Sequence, residues 1–180
     1  MYFTKLLISA IEFAMYVSVS VLVIFISYKM LVKSNTDFDE EEEIKKGNVA
    51  IGILVVAIMV ASALMIQKGL QPIFSLFHIF FTTPVQQSIS QWQLPIFALA
   101  HFCFVFAITI ITLSYSLRLF GKLGRKKMAW GKELLKGNVA VGLILSGVVL
   151  IVSLYVSDGL GSLAKALIPK QSIGQVRVLK

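Results

Sequence analysis

Two ionisable side chains, Glu12 and His101, fall inside long apolar runs of the sequence. A charge at bilayer depth costs roughly 2.5–3.5 kcal/mol on insertion scales, so such residues are functional candidates by default. A carboxylate beside an imidazole can pass a proton across. Rough alignment of the two runs, allowing one or two positions of slippage, sets His101 opposite Glu12. Glu12 also has a plainer reading. It stands about two turns inside its run, so its carboxylate can reach the interface or stay protonated against a neighbouring helix. Asn48 and Asn138 are the next candidates. Their amides can bind across helices for ~0.6–2 kcal/mol, or face each other and line a polar site.

Catalysis finds no further support. The chain has 2 His and 1 Cys. With few carboxylates in the apolar runs, these make neither a metal set nor a nucleophilic triad. No enzymatic activity and no cofactor or metal is expected. Cys103 lies within an apolar run and has no second cysteine to pair with.

Positioning these residues falls to a duplicated unit. The stretch Glu43-Ile44-Lys45-Lys46-Gly47-Asn48-Val49-Ala50-Ile51-Gly52 returns 90 positions later as Glu133-Leu134-Leu135-Lys136-Gly137-Asn138-Val139-Ala140-Val141-Gly142, identical at seven of ten positions. Each copy opens a run long enough to cross a bilayer, and self-similarity at such spacing marks an internal repeat. Gly in a membrane helix lets another backbone approach. Gly47, Gly52, Gly137 and Gly142 are therefore expected to pack the two copies together. The alignment persists to the far ends of the runs, where Lys68 aligns with Asp158, a cation and an anion that either bridge the halves or each face headgroups and water.

Apolar residues make up 57% of the chain and charged residues 14%, outside the usual soluble balance. Four runs are long enough for ~20-residue transmembrane helices: Leu6–Leu31, Val49–Ile66, Pro95–Leu117 and Val139–Val156. The fold class is all-α, a polytopic membrane protein of four transmembrane helices in two parallel two-helix repeats. Residues 1–76 form the first repeat, 77–94 an outer interfacial segment and loop, 95–166 the second repeat, and 167–180 a polar tail. The second helix is expected to start in water near Asp37 and run unbroken into the membrane. The Phe-rich stretch from Pro72 to Phe81 is expected as a separate helix in the interface or as a re-entrant hairpin.

The formal net charge of +8 does not point to nucleic acid, because the basic residues gather at helix ends. Of 17 Lys and Arg, 11 lie in the connections on the side of the repeated stretches. The positive-inside bias then places those connections in the cytoplasm and both termini outside.

A duplicated two-helix unit whose second helix opens on Gly-Asn-Val-Ala resembles the YjfL-like family of small bacterial inner-membrane proteins, whose function is unknown. The resemblance rests on Gly47-Asn48-Val49-Ala50 and Gly137-Asn138-Val139-Ala140 and spans the chain to Leu160. It implies four transmembrane helices, a bacterial inner membrane and no assigned catalytic activity. Such proteins tend to be encoded beside soluble ones, which implies a cytoplasmic partner. Two functions are expected from these readings. One is a membrane subunit that forms homo-oligomers or scaffolds a cytoplasmic protein. The other is a small ion or solute conductor whose pore forms between subunits, with Asn48, Asn138, Glu12 and His101 as polar lining.

Overall fold

The computed structural model describes residues 2–32, 40–82, 90, 92–124 and 129–168. The described residues are helical, without a strand. Helix α1 (Tyr2–Ile26) passes into a π-helical stretch, Ser27–Val32. The short α2 (Glu40–Lys45) precedes the long α3 (Val49–Thr82). The same order recurs as α4 (Gln93–Gly124), the short α5 (Trp130–Leu135) and α6 (Val139–Leu167). α1, α3, α4 and α6 are each long and apolar enough to cross a membrane. The acidic Asp37 and Asp39, the Gln/Ser loop at 85–89 and the tail from Pro169 lie outside the described residues.

The expected continuous second helix is broken. α2 ends at Lys45, and Gly47 takes a φ of +78° before α3 begins. That left-handed conformation is open to glycine without the clash a Cβ would bring. The backbone N–H of Gly47 donates to Ile44 (2.9 Å) and that of Asn48 to Glu43 (3.0 Å). These are the two bonds of a Schellman C-cap. Gly137, at φ +76°, repeats both, with Gly137 donating to Leu134 and Asn138 to Glu133. Gly47 and Gly137 are therefore turn glycines rather than packing glycines.

α3 and α6 form the centre of the bundle and run parallel. Near their starts, Gly142 lies against Ala50, where a Cβ would fall 2.6 Å from the Ala50 carbonyl oxygen. At the far ends, a Cβ on Gly161 would lie 3.3 Å from the carbonyl oxygen of Lys68. Gly52, the counterpart of Gly142, faces open space. The two copies thus meet through unlike surfaces, α6 sliding two or three positions past strict equivalence. α4 packs on both central helices, whereas among the described residues α1 makes its substantial contact with α3 of the two.

α3 has 34 residues, about 51 Å at 1.5 Å per residue, and runs straight through Pro72. The stretch expected as a separate interfacial or re-entrant element is thus the last turns of α3, to Thr82. Proline removes one backbone donor and the bond to the carbonyl four residues earlier, which is Lys68. Two neighbours cover this weakened ladder. The bare backbone at Gly161 lets α6 sit on the Lys68 carbonyl, and His101 caps the next one, as described below. Burial of Pro72, Ile73, Phe74 and Leu76 holds the extension against the bundle.

Candidate functional site

The repeated stretch folds into the same small device twice. Glu43 Oε1 accepts from Lys46 Nζ at 2.9 Å and its Oε2 accepts from Asn48 Nδ2 at 3.1 Å. Asn48 Oδ1 in turn accepts the backbone N–H of Ile51 at 3.4 Å, capping α3. In the second copy, Glu133 takes Lys136 at 2.7 Å and Asn138 at 3.2 Å, and Asn138 caps α6 through Val141 at 3.4 Å. Four of the seven identical positions now have a task. Glu and Lys clamp the turn, Gly supplies positive φ, and Asn satisfies an orphan N–H of the next helix.

The hydrogen bonds from lysine and asparagine hold both carboxyls, Glu43 and Glu133, below the usual carboxylate range. The same contact, with Glu43 first and Glu42 next, raises Lys46. Asn48 alone reaches across the repeats, donating from Nδ2 to the Leu134 carbonyl at 2.9 Å. The two asparagine side chains do not face each other as a polar lining. Each caps its own helix start, and Asn48 also reaches the Leu134 carbonyl.

The intramembrane ionisable residues also pair differently from the sequence expectation. Glu12 Oε1 accepts from Nδ1 of His78, not from His101, at 2.7 Å. One turn along, the rings of Tyr16 and Phe74 lie 4.2 Å apart. α1 is thus antiparallel to α3 and lies against its C-terminal extension. Reading 71–94 as a separate element hid this partner, because His78 then had no fixed place beside α1.

His101 is 4% exposed, and its Nε2 donates to the Gly69 carbonyl at 3.0 Å. A carbonyl only accepts, so Nε2 carries the hydrogen. Its Nδ1 is buried without a partner. One turn on, Val105 fills the space a Cβ at Gly69 would need, 2.5 Å away. Small side chain, bare backbone and imidazole together seat α4 on α3 beside Pro72.

Lys68 Nζ and Asp158 Oδ1 lie 3.3 Å apart across the two central helices. Both side chains are more than half exposed, so screening limits the pair to ~0–1 kcal/mol. Among the described residues no group of three or more His, Cys, Asp or Glu is placed to hold a metal ion. The buried hydroxyls of Ser62, Thr109, Ser116, Ser153 and Ser157 donate to carbonyls of their own helices. They form no shared polar lane.

Residues 2–160 match the sequence profile described as Domain of Unknown Function (DUF350). The chain belongs to that family. No curated protein and no solved structure matches it.

Proposed function

We propose that the chain is a non-enzymatic integral membrane subunit that oligomerises or scaffolds a cytoplasmic protein partner. The observation that carries this reading is the pair of capped turns. A membrane helix needs only a solvated start, yet here a short charged helix is clamped twice, at fixed geometry, to the entry of a central helix. Lys45, Lys46, Lys132 and Lys136 stay exposed on these clamped elements, which suits presentation to another protein. The Lys and Arg bias supports the cytoplasm for this face and the opposite side for both termini. The Gly-Asn-Val-Ala pair supports the YjfL-like group of the family, and with it a bacterial inner membrane.

A conductor would need a polar path, and among the described residues five of the seven buried hydroxyls spend their hydrogens within their own helices, Ser27 and Ser146 being the two without a partner. Purified protein tests the two functions together. Its copy number is measured by native mass after gentle extraction, and ion flux is measured in vesicles carrying it. Several copies per particle without flux supports the subunit reading. Selective flux that is lost on replacing Asn48 or Glu12 overturns it. Cysteines at positions 34 and 172, labelled from each side in a Cys103-free background, check the orientation. Labelling of position 172 from the cytoplasmic side alone reverses it.

A further inference from the structure

The two repeats bury different amounts of the same surface. On α3, Leu54, Ala61, Met65 and Ile73 are all 8% exposed or less. Their counterparts on α6, 90 positions on, are Ile144, Ile151, Tyr155 and Leu163, and each is more than half exposed. Gly69, in the same stripe of α3, receives Val105 of α4. Its counterpart Gly159 has nothing within 4 Å of where a Cβ would stand. Beside Gly159 runs a groove of about 570 Å³ lined by Ile108, Val156, Leu160, Leu163 and Ala166.

The counterpart of α4 is α1, and α1 has no substantial contact with α6. Only 6% of its membrane-crossing window is buried. Each chain therefore carries one uncovered seat and one helix of the kind that fills the sister seat. The two stand within about one helical turn of each other in depth. The Lys68–Asp158 pair and the seating of Gly161 on the Lys68 carbonyl set Gly159 within that turn of Gly69. The contacts of Glu12 with His78 and of Tyr16 with Phe74, continued along α1, bring Val21 to that level. Val21 is 62% exposed.

We propose that α1 of a second copy of this chain seats on the open face of α6, with the region of Val21 against Gly159, as α4 seats on α3 at Gly69 within one chain. The proposal rests on the oligomeric reading above and names its surface. Both copies stand upright in one bilayer, so elements this close in depth meet without tilting. The contact joins unlike surfaces, and such contacts close into rings when the rotation permits.

The test mixes two single-cysteine chains, Val21→Cys and Gly159→Cys, each also carrying Cys103→Ser, in one membrane. Mild oxidation is expected to give a disulfide-linked dimer in the mixture and none when Val56→Cys, deeper on α3, replaces Gly159→Cys. Because a side chain at Gly159 meets open space in its own chain, Gly159→Leu should leave helix content unchanged while abolishing the cross-link between position 21 and Tyr155→Cys. A multi-copy particle in which the mixed chains fail to cross-link overturns this interface and leaves oligomerisation standing. A single-copy particle overturns both. In a chain carrying both cysteines, a disulfide formed only within one chain also overturns the proposal, since α1 would then fill its own seat.

Discussion

The side-chain amide of Asn48 donates to the carbonyl of Leu134, joining the start of α3 to the last turn of α5. Among the described residues Asn138 makes no matching bond to Ile44. Leu134 O also accepts the N–H of Gly137 in the second turn, so this one carbonyl ties the two capped turns together. Sequence identity at the repeated position therefore conceals two different tasks.

The two asparagines should differ on mutation. Asn138→Ala removes a cap, worth ~1 kcal/mol. Asn48→Ala removes a cap and a bond between helices, which adds ~0.6–1 kcal/mol. Unfolding of each variant in mild detergent should show Asn48→Ala as the more damaging, by close to a factor of two. Equal losses would show that the bond to Leu134 contributes nothing.

The glycines four residues further on separate in the same way. A Cβ at position 142 would strike the backbone of Ala50, whereas one at position 52 would meet nothing. Overpacking against backbone costs ~1–3 kcal/mol. Gly142→Ala should lower the unfolding temperature clearly. Gly52→Ala should leave it unchanged or raise it, since alanine is the better helix former by ~1 kcal/mol. A comparable loss in both variants would restore a symmetric contact between the repeats.

Much of the architecture is legible in the residues. The duplicated stretch places two parallel helices side by side, the apolar runs locate four helices, and the alignment of Lys68 with Asp158 anticipates their 3.3 Å contact. Three features resist the reading, each for a physical reason. Gly47 looks like a packing glycine because residue type does not show the sign of φ; the signal lay in Lys-Gly-Asn, a helix stop followed by a start. α3 outruns its expected end because a proline inside a helix can be tolerated where neighbours cover the ladder around the one freed carbonyl, and Gly161 and His101 stand far off in sequence. Glu12 finds His78 rather than His101 because the stagger of α1 against α3 is set by tertiary packing, which a repeat alignment does not contain.

The clamped turns should loosen in acid. Glu43 and Glu133 titrate lower in the folded protein than their ordinary value of 4.5. A depressed folded value means that their contribution is complete above the unfolded pKa and is lost as pH falls through the folded one. Amide exchange at Gly47, Asn48, Gly137 and Asn138 should therefore stay slow relative to intrinsic rates near neutrality and accelerate below about pH 4.5. In the Glu43→Gln, Glu133→Gln double variant that acid step should vanish, and near neutrality the turns should exchange relative to intrinsic rates as they do in the acidified wild type. An unchanged step in the double variant would assign it to other carboxylates.

The last prediction separates the two histidines. His101 donates to Gly69 O and has no link to Glu12, while His78 meets Glu12 directly at 2.7 Å. Removing His101 deletes a buried hydrogen bond to a carbonyl inside α3, worth ~0.5–1.5 kcal/mol. His101→Gln, which keeps a donor on a side chain of similar reach, should recover part of that loss. Glu12→Gln should couple to His78→Ala in a double-mutant cycle and add independently to His101→Ala, because partners in contact interact by 0.5 kcal/mol or more and separate sites add within ~0.3–0.5 kcal/mol. Unfolding of the three single variants Glu12→Gln, His78→Ala and His101→Ala and of the two doubles supplies both cycles. Coupling of Glu12 to His101 and not to His78 would mean that the stagger of α1 against α3 is different in the bilayer, and would return the proton-passing pair to the centre of the molecule.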